Sequence, residues 1–426
     1  MSAVKNLIIS IIPLIILASP SCKKEMLSPT TNSKGEVNYM PPIWKYALHK
    51  DGKFHSNSQI DANLVFDSKV LVGTTEGEGD NWLNAVDIET GKELWKWNDI
   101  YQPPTEKMHV NYFYEHDGKM GYIVGSRHYC IDLETGQTHW KIKRNSSFSD
   151  RITGIGNSYY IIGQPTDTLE NYQTGVIFEG DFENGAIRRI LMPNIAITNV
   201  QNNRLGEVSS VISFVIGMDT MLLVAWQEVF ANNLFQSYLG LYNLSHKEWL
   251  YEKSVLNDNP IWNGGLLTPI TVYEGRAYMS VGYELLCHDV WTGKLIWKHQ
   301  YNNEIFFSGF VVADGRVIAN NENKVLYCYD AATGSLLWTG EGAGTSSRLK
   351  DRYLNEIVYF SGGSSGYIHA VDARNGKTVW KLDPAKMGDG ADFWKGDIYV
   401  VPGKNGGKGK VIALTPMNAY CFEAYR

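Results

Sequence analysis

No two cysteines are adjacent in this chain of 426 residues, and none of its five opens a Cys-x-x-Cys-His run. Covalent haem attachment is thereby excluded. Basic excess is missing too: the formal net charge is −6, which gives nucleic-acid binding no electrostatic footing. The apolar run from Leu7 to Leu17 is too short to span a bilayer. Beyond it no sustained 3.6-residue apolar period occurs, which removes helical bundles from consideration. What the chain has instead is 12% aromatic residues and 41 glycines, the composition of an all-β protein with many turns.

A repeat organises these residues. Asp87 to Trp95 reads DIETGKELW, Asp132 to Trp140 DLETGQTHW, Asp289 to Trp297 DVWTGKLIW, Asp330 to Trp338 DAATGSLLW and Asp372 to Trp380 DARNGKTVW. Each is preceded by a short apolar run that suits a buried strand. The Asp opens a turn by accepting backbone N–H bonds. The Gly (Gly91, Gly136, Gly293, Gly334, Gly376) supplies positive φ. A strand then resumes with the Trp on a fixed face, where stacked sheets need a large side chain between them. Cys130, Cys287 and Cys328 sit two residues before the Asp, where Ala85 and Ala370 stand in other copies, so they read as small core residues. Cys421, in the last strand, reads the same way.

Two further strand-like runs joined by a tight turn separate successive copies, as in Ile270 to Tyr273, Glu274-Gly275, Ala277 to Val281. Four short strands per unit is the content of one propeller blade. Degenerate units complete the array. Asp181 to Gly185 keeps the turn but has Arg189 in the Trp position; Asn243 to His246 has lost its Gly, with Trp249 six residues after Asn243. Ile412 to Thr415 reads as the start of a last hairpin in which Pro416-Met417-Asn418 replaces the usual turn. The spacing is about 41 to 49 residues, with one gap of about 62 before the fourth unit. The expectation is an eight-bladed β-propeller of four-stranded antiparallel blades, with seven blades as the alternative. Ile43 to Leu48 resembles a Trp strand lacking its partner, which suggests that the N-terminus closes the ring and leaves no open edge.

Residues 1–21 read as an export signal, with Lys5 before the apolar run and Ser21-Cys22-Lys23-Lys24 after it. The junction resembles a bacterial lipoprotein processing site, which implies a lipidated Cys22; an ordinary secretory signal is the alternative. Residues 22–41 are polar and read as a flexible tether, and residues 42–426 as the propeller.

The motif Ala-x-Asp-x-x-Thr-Gly-x-x-x-Trp, present at 85–95 and with Cys for Ala at 130–140, 287–297 and 328–338, resembles the pyrroloquinoline-quinone-like repeat family of β-propellers. At 370–380 the Thr is Asn375. The resemblance covers nearly all of residues 43–426. It implies either a catalytically silent, lipid-anchored member that assembles with other outer-membrane proteins, or a quinone-dependent dehydrogenase. The large quinone alcohol dehydrogenases carry an adjacent Cys-Cys pair and a set of Ca²⁺ ligands, and the pair is absent here.

Little else reads as chemistry. The repeat carboxylates are accounted for by turn formation, and His139 and His288 have no partner at metal-ligand spacing. The run Gly403 to Gly409 lacks the ending of a phosphate loop. Recognition is expected in the least repetitive loops: Gln164 to Gln173, Pro193 to Glu207, Gln227 to Ser237, and Asn257 to Gly265. Trp262, off the repeat position, is the candidate binding-surface residue, with a packing role as its alternative. Tyr101 to Pro104 and Ser361 to Gly366 are lesser candidates. The sequence thus points to a non-enzymatic envelope scaffold at the outer membrane that needs no cofactor or metal, binds envelope proteins, and leaves room for a small ligand. A divergent quinone-dependent oxidoreductase and a carbohydrate-binding surface lipoprotein are the alternatives.

Overall fold

A computed structural model describes residues 28–48, 62–75, 81–101, 113–145, 148–163, 175–191, 193–194, 207–230, 234–258, 261–262, 270–300, 309–344, 352–362, 366–388, 393, 398–415 and 417–426. Strands dominate, with no α-helix among these residues. They form eight sheets, each built on four antiparallel strands. The chain is therefore an eight-bladed propeller. In each of blades one to seven the four strands follow one another in sequence, from innermost to outermost. Blade five, for example, runs Thr271–Tyr273, Arg276–Val281, Glu284–Asp289, Leu295–Gln300.

The repeat forms the hairpin between third and outermost strands. In blade one, Asp87 accepts from Thr90 N at 2.7 Å and from the Thr90 hydroxyl at 2.6 Å, and Gly91 takes φ +70°. Asp132, Asp289 and Asp330 make the same pair of bonds with Thr135, Thr292 and Thr333. Asn375 has no such bond to Asp372, which instead accepts from Arg374 N and its guanidinium. A bulge after the turn sets the Trp opposite the Ala or Cys of the third strand: Ala85 faces Trp95 and Cys328 faces Trp338.

The indole does not fill its own blade. It leans over the turn of the next one. Trp95 donates to Leu133 O, Trp140 to Phe182 O, Trp297 to Ala331 O and Trp338 to Ala373 O, at 2.8 to 3.2 Å. In every case the acceptor is the residue after the next blade's Asp. The ring lies on that blade's Gly: a Cβ added to Gly91, Gly136, Gly334 or Gly376 would meet the preceding indole at 2.5 to 2.7 Å. The glycine thus meets two demands, positive φ and an absent side chain. Burial varies among the tryptophans, with Trp297 and Trp380 buried and Trp95, Trp140 and Trp338 half-buried.

Two degenerate units differ from the sequence reading. In blade four the Trp position belongs to Tyr251, which faces Leu241 and donates to Val290 O at 2.9 Å. Trp249 instead packs beside Trp226 in the core. In blade eight the strand Lys410–Leu414 is the second, not the third, so Met417 belongs to the link between second and third strands. The third strand is Asn418–Glu423, with Cys421 facing Trp44 of the outermost strand Trp44–Ala47. The N-terminal strand closes the ring, and Trp44 reaches Ile88 O of blade one at 2.8 Å.

Part of the segment read as a tether is ordered by blade seven. Thr30–Thr31 and Val37–Tyr39 form a hairpin, and Val37 pairs in parallel with Trp380 of the outermost strand Thr378–Leu382. Its turn is built by Asn32, whose side chain accepts from Lys34 N and Glu36 N at 3.0 Å. The strap covers an apolar edge. Val379 is only 8% exposed, whereas Leu337 at the same position of blade six is 49% exposed. The apolar Val37 and Met40, set in a polar run, pack on the core shared by blades seven and eight.

Candidate functional site

Burial and turn geometry account for the groups that would otherwise suggest catalysis. The Thr90 hydroxyl lowers the pKa of Asp87, and the Thr333 hydroxyl does the same for Asp330. These carboxylates are committed to their turns. Burial pushes the thiols of Cys130, Cys287, Cys328 and Cys421 up to about 12, which keeps these four protonated at neutral pH. His128, His288 and His369 are buried within third strands. His139 is on the outermost strand of blade two, its Nε2 3.1 Å from Glu183 O. Among the described residues no three His, Cys, Asp or Glu side chains group as metal ligands.

The array departs from its repeat in blade four. Its strands Glu207–Ile216, Asp219–Phe230, Leu234–Asn243 and Glu248–Val255 are long. Registering Met221–Asn243 on Arg276–Asp289 of blade five shows where the extra residues go. The hairpin between second and third strands continues for four more residue pairs, Gln227–Ser237 to Phe230–Leu234. At the rise of an antiparallel strand this projects about 13 Å beyond the corresponding turn of blade five. Ile261–Trp262 then pairs with Leu234 and Phe235, widening the projecting end.

Polar side chains stiffen this projection. The Glu228 carboxylate, buried, accepts from Lys253 Nζ at 2.7 Å and from the Tyr238 hydroxyl at 2.9 Å. Gln227 donates to Glu207 at 2.6 Å. Asn257, also buried, accepts from Ser237 N and Gln236 and donates to Phe235 O. Lys298 of blade five bridges Asp258 and Glu284, tying the end of blade four to its neighbour. Glu228 thus ties a lysine of the outermost strand and a tyrosine of the third strand to the second, bracing the hairpin across the sheet. Glu228→Ala is expected to cost about 1–3 kcal/mol, since it strands the Tyr238 hydroxyl. Urea titration monitored by circular dichroism checks this.

Of the loops expected from sequence to carry recognition, Gln227 to Ser237 forms most of this projection. The backbone of Trp262 is part of it. Residues 102–104, 164–173, 195–206, 263–265 and 363–365, like Cys22, lie outside the described residues. The gap of about 62 residues before the fourth unit was the sequence signal for a long blade.

Comparison with known proteins agrees with this architecture. The family described as "Outer membrane protein assembly factor BamB" matches residues 253–390. A relative with the same name from Moranella endobia is 21% identical over 397 residues, 91% of this chain and 94% of its own. The crystal structure of BamB from Moraxella catarrhalis superposes with a TM-score of 0.54 at 12% identity, covering 89% of this chain and 99% of that one. The quinohemoprotein alcohol dehydrogenase of Comamonas testosteroni gives 0.62 at 11% identity, over 90% and 76%. The resemblance to the quinone-like repeat propellers drawn from the sequence holds, and at these identities what this chain shares with both solved structures is the fold.

Proposed function

We propose that this chain is a lipid-anchored, non-enzymatic propeller that binds other proteins of the bacterial envelope through the projecting end of blade four. The observation that carries this reading is the projection itself, an extension of the array held rigid by a buried polar network. Similarity over most of the chain to a protein named as an outer-membrane assembly factor supports it. So does the Ser21-Cys22-Lys23 junction, which resembles a lipoprotein processing site.

Phe230 and Leu234 form the last pair of the projection and are both half-buried. Phe230→Asp with Leu234→Asp is expected to abolish co-purification of barrel-assembly proteins from solubilised envelopes while leaving the melting curve unchanged. Unaltered co-purification counts against this surface, and no co-purification with the unaltered chain counts against the scaffold. Cys22→Ala is expected to release the protein from membranes in cell fractionation, and retention would speak against lipidation.

The second reading is a quinone-dependent oxidoreductase, favoured by the fold shared with the alcohol dehydrogenase. Among the described residues the donor set does not fit that group. The four described cysteines lie on third strands of four different blades, each facing an indole, and no carboxylate set for Ca²⁺ occurs among the described residues. Titration with the quinone and Ca²⁺ is expected to give no saturable absorbance change and no alcohol- or sugar-dependent dye reduction.

A further inference from the structure

Blade four also projects from the opposite face. In blades one to three and five to seven the first and second strands turn immediately after the residue pair at the level of the repeat Asp, as Tyr273 and Arg276 do in blade five. In blade eight the longer, polar and glycine-rich link Pro402 to Gly409 joins them. In blade four two more pairs follow Phe214–Met221, namely Val215–Thr220 and Ile216–Asp219. The tip therefore stands about 7 Å beyond its neighbours. Its composition is different too. The corresponding two-residue turns are Asp67-Ser68, Asp117-Gly118, Gly156-Asn157, Glu274-Gly275, Asp314-Gly315 and Asn355-Glu356, all polar. The tip reads Phe214-Val215-Ile216-Gly217-Met218. Met218 is 97% exposed, and Val215, Ile216 and Trp291 between 41 and 50%. Trp291, from the repeat turn of blade five, meets Phe214 edge-on at 6.0 Å and brackets the tip at its base. The first charged residue, Asp219, is held back by His246 at 3.2 Å and Asn243 at 3.0 Å.

We propose that this tip enters a phospholipid bilayer, giving the propeller a second membrane contact beside its lipid anchor. The proposal rests on the envelope reading above. Size decides between occupants. A stable protein interface takes roughly 20–30 residues a side, and here four exposed apolar side chains rise from a face of polar turns. The shape agrees: a convex knob without walls enters a fluid phase more readily than a fitted pocket. An indole at its base belongs at headgroup depth. Exposed bases Lys247 and Lys294 are matched by exposed acids Glu248 and Glu274, so insertion is apolar and does not need anionic lipid. With this tip in the bilayer, the Phe230–Leu234 end of the same blade points away from the membrane, toward partners.

The test uses the mature chain carrying Cys22→Ala, so that no acyl chain contributes. It is floated with vesicles of phosphatidylethanolamine and phosphatidylglycerol, and with vesicles of phosphatidylcholine alone. The expected result is flotation with both, reduced about tenfold or more by Ile216→Asp with Met218→Asp. Ser68→Asp, a charge added at a polar turn of the same face, is expected to leave flotation unchanged. Both tip side chains are at least partly exposed, so an unchanged thermal melt shows that the variant is folded. Absence of flotation, flotation only with anionic vesicles, or equal flotation of the tip variant overturns the proposal. So does a tip variant that keeps flotation but loses an envelope protein partner, since that assigns the knob to a protein. Co-purification through Phe230 and Leu234 is scored separately, so the scaffold reading stands or falls on its own.

Discussion

Trp297→Ala is expected to destabilise the propeller by about 3–5 kcal/mol, the cost of removing a large buried aromatic. The indole is buried between blades five and six, bonded to Ala331 O at 3.0 Å and packed at tilted angles among Tyr278, Tyr329 and His299. A loss of that size is a large share of the 5–15 kcal/mol that stabilises typical domains. It falls on one blade-to-blade contact, the term that couples neighbours in a repeat array. A pair of glycine variants separates the indole contact from backbone strain. Gly334 and Gly315 have nearly the same conformation, φ +73° and +68°. An added Cβ at Gly334 meets the Trp297 ring at 2.7 Å, whereas at Gly315 it meets nothing within 4 Å. Gly315→Ala is expected to cost only the left-handed strain, about 1–2 kcal/mol. Gly334→Ala adds an overpacking cost of about 1–3 kcal/mol. Equal urea midpoints for the two would show that the ring yields freely and that the contact contributes little.

That pairing of ring and glycine also shows where sequence reading stops. Periodicity makes the Asp, Gly and Trp of each unit visible, because turn chemistry demands the same residue types wherever the turn recurs. It does not say that the Trp of one unit serves the Gly of the next, since a repeat looks the same under a shift of one unit. The missed Tyr251 has the same origin. It stands eight residues after Asn243, the spacing of the repeat, while Trp249 offers the repeat's residue type at another spacing. In the last unit, Pro416 and Met417 looked like a broken repeat turn, although Cys421 already carried the small-residue signature that faces Trp44. The strap at Thr30–Tyr39 left almost no pattern, because one parallel residue pair and two apolar contacts suffice to hold it. Blade four was legible in outline. A widened spacing announces extra chain, but only register tells that the extra residues divide between both faces.

Acidification from pH 7.5 to 5 is expected to lower stability by about 4 kcal/mol through two buried histidines alone. Burial, helped by the Arg144 charge, lowers the pKa of His128 to about 3. Burial, with Lys381 adding to it and Glu341 opposing, lowers that of His369 to about 4. In the unfolded chain both titrate near 6.5. Below that value the unfolded state takes up protons that the folded state refuses, so stability is full above pH 6.5 and falls as the pH drops toward 4. Each group costs about 1.4 kcal/mol per pH unit, or about 2 kcal/mol at pH 5. Neither ring gains enough to offset its burial: Glu341 opposes the shift at His369 only in part, and Arg144 adds to it at His128. His369 stacks on Phe360 at 4.9 Å with its Nδ1 unpartnered, and His128 packs edge-on against Phe148 at 4.7 Å. Asp372 adds a second, lower window. Its carboxyl is held well below the usual range by Arg374 and Arg426, so its contribution is present above about pH 4 and lost only beneath it. Urea midpoints across pH 4.5 to 7.5 therefore measure the histidines. His369→Gln, which cannot titrate, is expected to remove one proton from the uptake on unfolding and to flatten the slope by about 1.4 kcal/mol per pH unit. A slope unchanged by that substitution would show that the folded protein protonates His369 as readily as the unfolded chain does, and that blade seven opens enough to let water reach it.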